Sequence, residues 1–239
     1  MKRSSSILLV MVALLGSLAW ARAPLENSTE RLHNSGAVLT QISAAPDKGI
    51  PEEVMNSAKC VVVVPHLVKG GFIFGAKYGR GVATCRTENG WSAPAFIAVS
   101  GGSWGLQIGA EGVDLVMLVM NDRGLQHLLS SKFQLSGEGS VAAGPVGRHV
   151  SAGTDWWLNT ELLTYSRSRG VFAGLTLEGA VVNQDADSTT AIYGRDVPFR
   201  RILIGRVASP AAAEPFLDAV VDVDHRARVH EKREHAENR

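Results

Sequence analysis

Gly101-Gly102-Ser103-Trp104-Gly105 satisfies G-x-S-x-G, the pattern in which a serine on a sharp strand-to-helix turn presents its hydroxyl for acyl transfer. That chemistry needs a helix directly after the serine, with an acid and a histidine later in the chain. Downstream of Ser103 the residues alternate as a strand, and Asp114, Asp122, His127 and His149 stand in no recognisable triad setting. A glycine-rich turn is the favoured reading, and a serine hydrolase using Ser103 the remote one. His225, His230 and His235 recur every five residues, which rotates successive rings by about 140° on a helix instead of stacking them around a metal. Neither G-x-x-x-x-G-K-[ST] nor G-x-G-x-x-G occurs, so no nucleotide, cofactor or metal is expected.

Two other groupings carry chemistry of a non-catalytic kind. Between Glu53 and Glu88 the bases Lys59, Lys69, Lys77, Arg80 and Arg86 occur with no acid, and Phe72, Phe74 and Tyr78 are interleaved with them. Such a stretch would form an anionic-headgroup or phosphate surface with an aromatic edge. The competing reading is ordinary solvated strand ends, where lysine discourages edge pairing. Cys60 and Cys85, the only cysteines, each sit in a β-like run. They form either one disulfide or two inert buried thiols, depending on whether those runs are neighbours.

The compartment is set by the amino terminus. Lys2 and Arg3, the uncharged run Ile7 to Leu18 and then Ala19-Trp20-Ala21 have the layout of a secretory signal over 1–21, with cleavage expected after Ala21. The mature protein is then exported, to the periplasm or beyond. Cleavage takes the charge from 24 bases and 23 acids to 22 and 23, and a neutral chain argues against nucleic-acid binding. About 218 residues remain, enough for one sizeable core.

These groups must be held by elements legible in the pattern. Leu25, Leu32, Leu39 and Ile42 have helical spacing, weakened by Gly36, and Pro51-Glu52-Glu53 opens a second short helix, giving a helical part over 22–57. KCVVVVP, GGFIFGAKYGRGVATCRT and WSAPAFIAV are strands, with Asn89-Gly90 as a type I′ hairpin turn and Ser100 to Ser103 as another. A parity change near Glu111-Gly112 predicts a bulge there, and Leu115 to Met120, apolar on both faces, predicts a buried strand instead of a membrane barrel. Asn121-Asp122 caps a helix, Ser166 to Gly170 is a hairpin turn, and Asp187 to Tyr193 is a short helix. Arg195 to Arg206 is a basic connector enclosing ILIG. Ser209-Pro210 opens a last helix within 209–239, and from Asp222 a balanced charged tail is expected to fray. The fold class is α+β: a curved, mostly antiparallel sheet of hairpins, with short N-terminal helices and one C-terminal helix.

The ordered motifs AKCVVVVPHLVKGGFIFGAKYGRGV, GWSAPAF, GGSWGLQIGAE, DLVMLVMND, SVAAGPVGR and YSRSRGVFAGLTLEGA together resemble the SYLF domain family, from about Ala58 to Tyr193. The resemblance implies a non-catalytic module over 22–208 that binds membrane lipids, phosphoinositides in eukaryotic members, with actin binding in some. It points to the helix around Leu25 to Ile42 and to Lys59, Lys69, Lys77 and Arg80 as lipid contacts. An anionic lipid surface is the expected partner, and an envelope structural or protein-interaction module is the alternative. Since a strand follows Ser103, the variant Ser103→Ala should leave ester hydrolysis at background, and a fluorophosphonate probe should not label Ser103.

Overall fold

The structure is a computed structural model describing residues 25, 27–45, 49–71, 74–104, 109–130, 132–135, 141–145, 159–168, 171–172, 177 and 179–237. The signal-like segment 1–21 lies outside them. The first helix, α1, covers residues 27–43 and buries Leu32, Leu39 and Ile42 completely. Gly36 does not weaken it but lets it approach the C-terminal helix. A Cβ there would lie 2.7 Å from the Pro215 carbonyl oxygen and 3.3 Å from the Ala219 Cβ. Helix α2, Glu52–Ser57, follows Pro51 with both glutamates in its first turn.

Among the described residues ten strands follow: β1 Cys60–Gly71, β2 Phe74–Thr87, β3 Gly90–Trp91, β4 Ala95–Trp104, β5 Gly109–Val119, β6 Lys132–Gln134, β7 Val141–Ala143, β8 Leu162–Ser168, β9 Val171–Phe172 and β10 Val181–Gln184. They form one curled sheet in the order β6-β10-β4-β2-β1-β5-β8-β7, with β3 beside β2 and β9 beside β8. Every pairing is antiparallel except β7 with β8. Interspersed are α3 Asp122–Leu129, α4 Ala186–Tyr193, α5 Phe199–Leu203 and α6 Glu214–Glu237.

Val61 to Val64 are all fully buried, because β1 is covered on both faces. On the outer face Val61 and Val63 pack with Val116 and Leu118 of β5 under α1, α2 and α6. On the inner face Cys60, Val62 and Val64 join Leu115 and Met117, closed by Leu128 of α3 and by Phe199 and Ile202 of α5. A Cβ at Gly81 would sit 2.3 Å from the Val63 carbonyl oxygen, and one at Gly79 would sit 2.7 Å from Val64 Cγ1, so glycine is what lets the strands close in.

Several local expectations need correction. The bulge lies at Pro65-His66 of β1, where the register against β5 jumps from Val64 and Leu115 to Leu67 and Val113. His66 takes φ +61°, and its N–H donates to Asp114 Oδ1 at 3.2 Å. Residues Ser100 to Ser103 are not a turn. They continue β4, and β5 pairs with β1, so β4 and β5 flank the β1–β2 hairpin. The turn at Glu88-Asn89 puts the left-handed conformation on Gly90 alone, at φ +108°, with Thr87 opposite it, so it is not type I′. Ser166 to Ser168 belong to β8. The charged C-terminal stretch is helical to Glu237, because Val223 and Ala227 reach the outer core.

Cys60 and Cys85 are direct partners on β1 and β2, and their sulfurs are bonded within the inner core. The Arg86 N–H donates to the Lys59 carbonyl at 2.8 Å, so the neighbouring pair is the wide, hydrogen-bonded one and the cysteines occupy the narrow site. Closing a loop of 25 residues should stabilise the fold by roughly 3 kcal/mol in the chain-entropy model. The Cys60→Ala/Cys85→Ala protein should lose about that much in urea unfolding, and denatured, unreduced wild type should titrate no thiol.

Candidate functional site

The acid-free span supplies five bases, and alternation along β1 and β2 divides them between two faces. Lys69 and Lys77 are direct cross-strand partners on the inner face. Lys69 Nζ is 2.9 Å from Glu111 Oε2, and Ser168 Oγ donates to the other oxygen of that carboxylate. Lys77 is only 6% exposed, and burial, then the nearby Lys69 charge, pulls its ammonium below the ordinary lysine range. Arg80 has the opposite parity, and the β2–β4 register runs unbroken through it, so it points to the outer face. Lys59 pairs with Asp122 at 2.8 Å before β1 begins. The span is free of acids in sequence but not in space, since Glu111, Asp122, Asp185 and Asp224 come to it from other elements.

At the hairpin end of the outer face, Val68 and Tyr78 are cross-strand partners, 46% and 49% exposed. Arg80 Nε donates to Tyr78 Oη at 2.9 Å, and its side chain is 46% exposed, the most of the five. The same nitrogen lies 3.7 Å from Asp185 Oδ2. Asp185 caps α4 by accepting from the Ser188 N–H at 3.0 Å, and Arg31 Nη1 donates to its Oδ2 at 3.2 Å and to Ser188 Oγ at 2.9 Å. The Arg31 guanidinium also lies over the Phe96 ring at 5.7 Å. This buried network ties α1 to α4 and the sheet. In the helix around Leu25 to Ile42, Leu32, Leu39 and Ile42 are committed to the outer core, while Leu25 is 43% exposed.

The grouping suggested by G-x-S-x-G is dispersed. Ser103 stands in β4 opposite Gly75, and the next described element is strand β5, not a helix. Asp114 Oδ2 accepts from Arg167 at 3.2 Å, Asp122 holds Lys59, and His127 Nδ1 meets Glu161 at 2.9 Å, while His149 lies outside the described residues. Among the described residues no three His, Cys, Asp or Glu side chains could hold a metal, and no helix is long and apolar enough to cross a membrane.

A family profile described as Ysc84, Las17-binding protein actin regulator, matches residues 100–223. The chain belongs to that family. The rat SH3 domain-containing YSC84-like protein 1 is 36% identical over 175 residues, 72% of this chain and 51% of the rat protein. Protein YSC84 of Saccharomyces cerevisiae is 33% identical over 175 residues, covering 72% of this chain and 37% of the yeast protein. An SH3 domain-containing protein of Schizosaccharomyces pombe is 36% identical over 171 residues, 70% of this chain and 40% of that protein. The chain thus spans about half or less of the length of these relatives.

In this Ysc84-family chain the last base of the span, Arg86, holds the fold. Its Nε donates to the Ala58 carbonyl at 2.7 Å, its Nη2 to the Met55 carbonyl at 3.0 Å and to Asp224 Oδ1 at 2.6 Å, and its guanidinium lies 4.5 Å from the Trp91 ring centroid. Asp224, on α6, also receives Arg228. No sequence signal joins residues 138 apart, so this clamp was illegible before folding. Burial alone would raise the Asp224 carboxyl, but hydrogen bonds and charge from Arg86 and Arg228 outweigh it and hold the group below the usual carboxylate range. A depressed pKa makes its stabilisation complete above the unfolded value of about 4, and the contribution is lost as pH falls through the folded value. Asp224→Asn should cost about 2 kcal/mol at pH 7, leaving Arg86 partly buried and short of its anion. Urea unfolding should show the gap between wild type and variant closing as pH is lowered below about 4.

Proposed function

We propose that this domain is a non-enzymatic module that binds an anionic membrane lipid surface, of the phosphoinositide type that the SYLF resemblance implies. The observation that carries the reading is the exposed group of Val68, Tyr78 and Arg80 on the outer face of the β1–β2 hairpin. A guanidinium seeks lipid phosphate, a phenol suits the interface, and an exposed valine gains by leaving water. Among the five candidate bases, Arg80 has the most exposed side chain, ahead of Lys59 and Lys69, and each of the three already lies beside an acid. Lys77 is only 6% exposed, and Arg86, its side chain 23% exposed, is held by Asp224. The amino-terminal pattern supports an exported setting, with the signal removed after Ala21.

A protein-interaction module is the second reading, favoured by the family description as an actin regulator and by the SH3 domains in the relatives' names. Sedimentation with vesicles separates the two. Protein mixed with phosphatidylcholine vesicles containing phosphatidylserine or a phosphoinositide should pellet, and should pellet less as salt rises. Replacing Tyr78 by serine and Arg80 by glutamine should weaken binding about tenfold, since one base near such a surface contributes about 1 kcal/mol. No pelleting with any anionic composition would leave the protein-partner reading.

A further inference from the structure

The bases of the acid-free span are tied to partners, but another set is not. Arg195, Arg200, Arg201 and Arg206, on α5 and its flanks, are all exposed. Among the described residues none of the four makes a side-chain hydrogen bond or ion pair. Asp196 is the one acid between residues 195 and 206, so the stretch carries a clear positive excess in a chain that is otherwise balanced. Val197, Phe199, Ile202 and Leu203 anchor it from beneath, fully or nearly fully buried in the inner core. Ile204, 41% exposed, stands among the arginines, where Gly205 turns the chain at φ +75° against Thr87.

This surface sits at the Thr87 end of β2, whereas Tyr78 and Arg80 lie toward the other end. Nine residues of strand separate Thr87 from Tyr78, up to about 30 Å at the usual rise. Tyr78 and Arg80 stand on the outer face, whereas α5 packs on the inner core and turns its arginines away from it, so the two surfaces lie on opposite sides of the sheet and a flat bilayer docked on one does not lie against the other. Both ends nonetheless present the same chemistry: exposed arginine beside an exposed aliphatic side chain, suited to lipid phosphates with an apolar contact just beneath them.

We infer that the α5 surface, formed by Arg195, Arg200, Arg201, Arg206 and Ile204, is a second docking face for an anionic phospholipid bilayer, so that one molecule bridges two membranes. The inference rests on the lipid-binding reading. Its test uses phosphatidylcholine vesicles containing phosphatidylserine, with sedimentation reporting binding and light scattering reporting clustering.

Wild type should both pellet with the vesicles and cluster them. The Arg200→Gln/Arg201→Gln/Arg206→Gln protein should still pellet through the hairpin, but should need about a hundredfold more protein to cluster vesicles, at the usual contribution per base. Replacing the same three arginines by lysine should preserve clustering, and unchanged thermal unfolding would show that surface charge, not folding, is responsible. Clustering by the glutamine variant equal to that of wild type would overturn the inference, as would wild type that pellets without clustering. Wild type that does not pellet at all would instead remove the lipid-binding reading itself.

Discussion

The rest of the structure depends on the fact that β1 is apolar on both sides and has to be kept from water on both. Val61 and Val63 face one layer, and Val62 and Val64 the other. Neither α1 with α6 nor α3 with α5 would suffice alone, because each covers one face. Fully burying a valine contributes at least about 1.5 kcal/mol, and this strand with β5 places such residues on both faces in succession. The helices that cap the two faces come from distant parts of the chain, so the strand effectively recruits both termini. Gly36 and the pair Gly79 and Gly81 serve the same end: the first lets α1 touch α6, and the others let the sheet close on its inner face.

Charge follows from that packing. Once strands from opposite ends of the sequence lie side by side, bases that look isolated along the chain acquire acids from elsewhere. Lys69 finds Glu111 on β5, Lys59 finds Asp122 on α3, and Arg86 finds Asp224 on α6. Arg31 and Asp185 are both buried, and burial outweighs the Asp185 charge in pulling the Arg31 guanidinium below its ordinary range, while Ser188 and the Phe96 ring supply its further contacts. Among the described residues, Arg200 and Arg201 of α5 are left without an acid partner, on a five-residue helix whose apolar residues are consumed by the core and whose arginines point outward.

The chain belongs to the Ysc84 family, and the relatives it resembles are longer proteins of which it matches about half or less. The shared region includes β5, α3, β8 and α4, so the family relation extends through the inner and outer cores. Ser103 lies inside that region as a residue of a continuous strand, where the backbone has no turn on which to raise a nucleophile.

Alternation and spacing alone determined the strands around Cys60 and Cys85, the α1 and α3 helices and the α+β class, because periods of two and of about three and a half residues are local properties. The apolar run Leu115 to Met120 was legible as a strand buried on both faces for the same reason. The pairing of β5 with β1 and the bulge at Pro65-His66 were decided only by the tertiary structure, whereas the opposite parity of Lys77 and Arg80 was already present in the sequence. Register and bulge position depend on which strands become neighbours. The charged C-terminal stretch misled for a related reason: every fourth or third residue, Val220, Val223 and Ala227, meets the outer core, and a composition dominated by charge hides so sparse a stripe. Ion pairing was the least legible of all, since a salt bridge reflects distance in space and Arg86 and Asp224 are 138 residues apart in the chain.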